Sequence, residues 1–199
     1  MVKIKICGIR RIEDIMIINK YKPEYIGFVF ADSKRKVSHN QARQLKQNLN
    51  SDIISVGVFV DASQSEILKL FEEGLIDIAQ LHGNESEEDI ISLKRKTGDE
   101  LKIIKAIEMS ENTDLLGYND SHADYLLLDS GKGSGKTFDW SLINSGLKKE
   151  FFLAGGLNSS NICEAISRFN PYAVDLSSSL ETDGFKDENK IKELMEVIN

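Results

Sequence analysis

At 199 residues, 41 % of them hydrophobic and 29 % charged, the chain has the make-up of one globular domain long enough to bury a substantial core. Its net charge of −7 argues against nucleic acid or an anionic membrane as a partner, because both draw basic surfaces. Two cysteines build no disulfide framework, no apolar run reaches the roughly 18 residues of a membrane span, and the first residues lack a signal peptide's apolar core, so a cytoplasmic protein is expected.

The opening stretch, Lys3-Ile4-Lys5-Ile6-Cys7-Gly8, alternates as a strand does, with Ile4 and Ile6 on one face and Lys3, Lys5 and Cys7 on the other. Cys7 is thereby presented at the strand's carboxyl end. A helical stretch follows over 12–20, then an apolar run, Tyr25-Ile26-Gly27-Phe28-Val29-Phe30. Ser38 with Gln41 three places on reads as a capping box that starts a second helix through Leu45 and Leu49. Residues 53–60 form the third strand, and Ser63 with Glu66 repeats the capping box before a helix with Ile67, Leu68, Leu70 and Phe71 on its apolar face. A short strand over 76–81 ends at His82-Gly83, a helix spans 86–96, and the fifth strand spans 101–107. The fifth helix, over 111–118, is the weakest because it is short and carries Gly117. Further strands fall at 125–128, 151–154 and 172–174, and Ile191, Leu194, Met195 and Ile198 close the chain as an amphipathic helix.

Eight short apolar strands, spaced roughly 25 residues apart and separated by helical patterns, are a succession of βα units. Parallel strands need long crossovers, which the helices supply. Eight uninterrupted units favour an α/β fold closed into a single (β/α)8 TIM barrel over an open doubly wound sheet. With Pro23 and Pro171 the only prolines and no Ser/Gly/Pro-rich linker, residues 1–199 are expected to form one barrel domain.

In such a barrel the chemistry gathers at the carboxyl ends of the strands. Cys7 there is either a small buried hydrophobe or a base. As a base it needs the thiolate, and a free thiol with a pKa of about 8.5 supplies only a few per cent at neutral pH. Lys5, two residues earlier on the same face, would lower that value. Asp129 ends the run Tyr125-Leu126-Leu127-Leu128 and either caps a turn or, with its pKa raised by apolar neighbours, acts as a general acid. The first and sixth strands lie nearly opposite in a ring of eight, leaving room for a small substrate between Cys7 and Asp129. Gly155-Gly156 after the seventh strand and Ser177-Ser178 after the eighth expose backbone N–H groups as a phosphate site would, or form two tight turns. Residues 130–137 end in Gly-Lys-Thr like a nucleotide-binding P-loop, but Ser130 stands where that pattern requires glycine, and a lid over the mouth is expected instead. Cys163 is expected in a helix as a core residue, and His39 and His122 on the surface.

Lys5-Ile6-Cys7-Gly8, Gly27-Phe28-Val29-Phe30 with Ser33-Lys34-Arg35-Lys36-Val37, Val56-Gly57-Val58-Phe59, Gln80-Leu81-His82-Gly83, Gly133-Ser134-Gly135-Lys136-Thr137-Phe138-Asp139-Trp140 and Leu153-Ala154-Gly155-Gly156-Leu157 together resemble phosphoribosylanthranilate isomerase of tryptophan biosynthesis. The likeness runs in register from Lys3 to Asp187. It implies a single-domain barrel that converts N-(5-phosphoribosyl)anthranilate to 1-(2-carboxyphenylamino)-1-deoxyribulose 5-phosphate by an Amadori rearrangement, without metal or cofactor. Carried over by motif, Asp129 would protonate the furanose ring oxygen and Cys7 would take the proton from ribose C2. Arg35 would hold the anthranilate carboxylate as a planar fork, and Gly155, Gly156, Ser177 and Ser178 would hold the phosphate. His82 would line the mouth on the substrate side, or be a satisfied turn histidine. The resemblance implies a small-molecule substrate and no macromolecular partner. The chain is expected to stand as a monomer, with a homodimer the alternative.

The chain departs from the resemblance at Ser179, where relatives usually carry glycine; if the backbone there requires positive φ, serine costs on the order of 1 kcal/mol. Three rival readings are set aside on residues. The isomerase of the parallel histidine-pathway rearrangement carries aspartate where Cys7 stands. Indole-3-glycerol phosphate synthase needs lysine and glutamate at strand ends and a longer chain. A noncatalytic phosphosugar-binding barrel would have no reason to retain both Cys7 and Asp129.

Overall fold

The strand at the front of the chain, β1 (Lys3–Cys7), carries the alternation that the whole fold repeats, since its even residues face outward and its odd residues face inward. A computed structural model describes residues 2–131, 138–143 and 146–198. After β1 come α1 (Ile12–Tyr21), β2 (Tyr25–Val29), α2 (His39–Gln47), β3 (Ile54–Phe59), α3 (Gln64–Glu72), β4 (Ile78–Leu81), α4 (Glu87–Lys96), β5 (Lys102–Glu108), β6 (Tyr125–Asp129), β7 (Phe151–Leu153), α5 (Ile162–Phe169) and β8 (Ala173–Leu176). A two-stranded hairpin, β9 (Glu181–Thr182) and β10 (Phe185–Lys186), precedes the last helix, α6 (Glu188–Ile198). The eight long strands pair in chain order, all parallel, and β1 pairs with β8 to close the (β/α)8 barrel.

Two apolar layers follow from the alternation. Ile4, Ile6, Ile26, Phe28, Leu126 and Leu128 pack outward under the helices, whereas Tyr25, Val56, Ile78, Ile104, Leu127 and Phe152 fill the barrel interior. Below Phe152 the hydroxyls of Tyr25 and Tyr125 meet that of Tyr172 at 3.0 and 3.2 Å, and Lys3 Nζ donates to Tyr172 at 2.6 Å. These phenols plug the amino end of the barrel, which leaves the carboxyl end as the open mouth. No helix of the described residues is long and apolar enough to cross a membrane.

Local chemistry sets the helix starts. The Ser38 hydroxyl accepts from Gln41 N at 3.2 Å and the Gln41 side chain accepts from Ser38 N at 3.4 Å, the capping box expected from the sequence. The second expected box is only half formed: Ser63 caps Glu66 N at 3.2 Å, but the Glu66 carboxylate faces His39 Nε2 at 3.3 Å instead of reaching back. Ser86 and Asp89 form a full box on α4 that the residue pattern had not singled out.

The structure corrects other expectations. No α-helix forms over 111–118; a 3-10 turn over Leu116–Asp120 fills that connection, in keeping with its shortness and Gly117. Cys163 lies on α5 but is exposed, because the buried face of that helix runs through Ile162 and Ala165 and turns the neighbouring position outward. The P-loop-like stretch falls mostly at 132–137, outside the described residues.

Candidate active site

The mouth opens into a cavity of about 1300 Å³, and Cys7, Arg35, His82, Asp129, Gly155 and Ser177 all line it, as do Gly156 and Ser178. Cys7 is the last residue of β1 and pairs in register with Gly27 of β2. A Cβ on Gly27 would stand 2.6 Å from Cys7 Sγ, so the absence of a side chain there makes room for the thiol. Burial pushes the Cys7 thiol above its ordinary value; Lys5 pulls the other way, as the sequence suggested, but does not win. Lys5 is fully buried and its Nζ donates to Asp175 Oδ2 at 2.8 Å. Burial disfavours the charge on Lys5, yet Asp175 and Cys7 outweigh it and hold the lysine protonated. Lys5 thus acts on the thiol in the direction expected, but burial is the larger influence and leaves the thiol raised, while Asp175 shares the lysine's charge.

Asp129 ends β6 as a nearly buried side chain. Its Oδ1 accepts from Ser130 N at 2.9 Å, and its Oδ2 lies 3.4 Å from His82 Nε2. His82 Nδ1 meets Gln80 Nε2 at 3.1 Å. With the Gln80 amide donating to Nδ1, the ring proton sits on Nε2 and faces Asp129. His82 is thus a partner of the candidate acid and not a self-contained turn residue.

Arg35 sits in the turn after β2, where Val37 N donates to Val29 O at 2.8 Å and Lys36 N to Ser33 O at 3.1 Å. Its fork is already engaged: Nε and Nη2 donate to the two carboxylate oxygens of Glu181 at 2.7 and 2.8 Å. Glu181 Oε1 also accepts from the fully buried Lys186 Nζ at 2.9 Å. Burial works against the charge on Glu181, but Arg35 and Lys186 outweigh it and hold the carboxylate below its usual range. Sequence reasoning missed Glu181 and Lys186, because neither belongs to a strand-end pattern.

After β7, Gly155 and Gly156 have φ of 81° and 65°, so the loop turns back with backbone only glycine adopts freely. A Cβ at Gly155 would strike Ser130, the neighbour of Asp129. After β8, Ser177 Oγ donates to the Cys7 carbonyl at 3.0 Å, so that hydroxyl is spent on holding β1, and Ser178 opens a 3-10 turn over Ser178–Leu180. Ser179 is not among the residues with positive φ, which removes the strain expected of it. Its hydroxyl is buried at the cavity without a partner among the described residues, and so are Gln80 Oε1 and Asp175 Oδ1.

A thiol and a carboxyl group on nearly opposite walls, an arginine, and the turns after β7 and β8 share one cavity. A family model described as N-(5'-phosphoribosyl)anthranilate (PRA) isomerase matches residues 4–197. The chain belongs to this family. It is 44 % identical over 203 residues to the N-(5'-phosphoribosyl)anthranilate isomerase of Endomicrobium trichonymphae, covering 100 % of this chain and 98 % of the relative. The crystal structure of the family member from Thermus thermophilus superposes with a TM-score of 0.90 at 32 % identity, over 99 % of this chain and 98 % of that one. A member crystallised with reduced 1-(o-carboxyphenylamino)-1-deoxyribulose 5-phosphate superposes with a TM-score of 0.83 at 35 % identity, over 98 % of this chain and 97 % of that one. Closure of the parallel barrel is why residues from five separate strand ends and the turn after β2 face one cavity.

Proposed function

We propose that the chain is an N-(5'-phosphoribosyl)anthranilate isomerase of tryptophan biosynthesis, acting as a single barrel domain over 1–199. The observation that carries this reading is that Cys7 and Asp129, each ending its own strand, line the same cavity from nearly opposite walls of the closed ring. Asp129 gives its proton to the furanose ring oxygen as the C1–O bond breaks, leaving an iminium between C1 and the anthranilate nitrogen. The Cys7 thiolate then removes the proton from C2, and the C–H electron pair neutralises the iminium to an enolamine. Tautomerisation gives the ketose. The electron pairs of the broken C1–O and C2–H bonds stay within the substrate and only protons pass between it and the protein, so an acid and a base suffice.

The raised thiol makes Cys7 a strong base in a small fraction of molecules, and Lys5 limits how small that fraction is. The loops after β7 and β8 hold the phosphate through backbone N–H groups and the open Ser179 hydroxyl, and Asp175 Oδ1 accepts from a ribose hydroxyl.

The test is the fluorescence decay of freshly generated N-(5-phosphoribosyl)anthranilate. Rapid decay is expected with the wild type, and a loss of about a hundredfold or more with Cys7→Ser and with Asp129→Asn. No decay with the wild type would overturn the reading.

A further inference from the structure

The cavity meets its ligand through Arg35, yet Arg35 is clamped from behind. Glu181 takes the Nε/Nη2 edge of the guanidinium with both oxygens, at 2.7 and 2.8 Å. The two side chains are 16 % and 7 % exposed, so the pair is largely out of water. A guanidinium carries five N–H donors in a rigid plane, and two are spent on Glu181. Nη1, which has no partner among the described residues, and the second proton of Nη2 form the remaining edge. That edge has the spacing of a carboxylate.

A carboxylate beside Arg35 would ordinarily defeat the binding of another anion, since two like charges around one cation repel. Lys186 removes this objection. Its Nζ, at 0 % side-chain exposure, lies 2.9 Å from Glu181 Oε1 and donates also to Ser177 O at 3.0 Å. Burial pushes the Lys186 ammonium down and Glu181 pulls it back up, and its Nζ donates to two acceptors, Glu181 Oε1 and Ser177 O; with that ammonium charged the three side chains carry two positive charges and one negative, and the cluster presents a net positive charge to the mouth. The backbone supports the same arrangement: Lys190 Nζ donates to the Glu181 carbonyl at 2.6 Å, and Ser177 in turn donates to the Cys7 carbonyl. The guanidinium is tied through three residues, Glu181, Lys186 and Ser177, to the strand that carries the thiol.

We infer that Glu181 and Lys186 are positioning residues for substrate recognition: Glu181 fixes the plane of Arg35 so that its free edge meets the aromatic carboxylate of the substrate, and Lys186 neutralises Glu181 so that this second carboxylate is accepted. The inference rests on the isomerase reading and deepens it. It assigns selectivity for an ortho-carboxylated aromatic amine to the contact between the turn after β2 and the β9–β10 hairpin. It also joins the carboxylate end of the substrate to the loop after β8, because Lys186 binds both Glu181 and Ser177.

The experiment compares binding of two probes by titration calorimetry: reduced 1-(o-carboxyphenylamino)-1-deoxyribulose 5-phosphate, and the same compound with phenyl in place of carboxyphenyl. Wild type, Glu181→Gln and Lys186→Met are titrated with each. In both variants the carboxylated probe is expected to lose about tenfold or more in affinity, the size of one charge-assisted hydrogen bond, while the decarboxylated probe binds as it does to the wild type. In turnover the same variants should raise KM with little change in kcat. Equal losses for both probes would overturn the inference by showing that the pair merely holds the loop together. Tighter binding of the carboxylated probe to Glu181→Gln would overturn it by showing Glu181 to be a competitor for Arg35, and unchanged binding would overturn it outright. A wild type that binds neither probe would overturn the isomerase reading as well, an outcome distinct from the other three.

Discussion

Gly27→Ala drives a methyl group against Cys7 Sγ. The added Cβ would lie 2.6 Å from Sγ, 3.1 Å from the Cys7 Cα and 3.2 Å from its Cβ. Non-bonded heavy atoms rest roughly 3.5–4.0 Å apart, so the thiol must retreat by about 1 Å. It cannot do so by a simple rotation, because the Cys7 Cα is also too close and is held in the β1–β2 ladder, where Gly8 N and Ile9 N donate to the Gly27 carbonyl at 2.9 and 3.0 Å. A misplacement of about 1 Å at a reacting group costs on the order of a hundredfold in rate. The overpacking itself costs about 1–3 kcal/mol, well within the stability of a domain of this size. The expected outcome is a folded protein whose kcat on N-(5-phosphoribosyl)anthranilate falls about a hundredfold while the thermal midpoint drops by about 2–12 °C. A kcat within about threefold of wild type in a folded variant would refute the placement of the thiol as the working base.

Because burial holds the Cys7 thiol above its ordinary value, the basic limb of the kcat profile is expected to keep rising past the pH at which a free thiol titrates; a profile flat from neutrality upward would contradict it. Lys5→Met should move that limb further up and leave Asp175 buried without its cation, costing about 3–5 kcal/mol in urea unfolding. Asp77 accepts from Ser55 N, Ser55 Oγ and Lys46 Nζ, each at 2.7 Å, and although burial opposes its charge these bonds hold its pKa below the ordinary value. Its contribution is therefore complete above the unfolded carboxylate pKa and is lost as pH falls through the lower folded value; because the side chain is 44 % exposed and screened by water, Asp77→Asn should cost only about 0.5–1 kcal/mol at pH 7 and progressively less in acid, read by denaturant titration across pH. Ser179→Gly should leave the thermal midpoint unchanged or lower it, since the serine backbone is not left-handed; a rise of more than about 4 °C would show strain that the backbone angles do not.

The order of strands and the two ends of the barrel were legible along the chain because a strand repeats every two residues. Cys7 and Asp129 share the inward parity of their strands with Lys5 and Leu127, so their direction followed from local counting. The glycine pair at 155 and 156 was equally legible, because left-handed backbone selects for glycine itself. The missing helix before β6 was less so: residues 111–118 have some helical character, and only the short span between β5 and β6 settles them as a 3-10 turn.

What the sequence determined by itself is what local rules govern: the βα rhythm, the inward parity of each strand and the residue type standing at each strand end. Partnerships between distant residues were decided by the closed barrel. Lys5 and Asp175 are 170 residues apart, and Arg35 and Glu181 are 146 apart. The sign of the Cys7 shift depends on whether burial or a lysine prevails, and that lysine is answered by an aspartate on β8. Closure of β8 onto β1 brings these groups together and excludes water from them, and in that low-dielectric space charges are set by their neighbours and not by their own residue type.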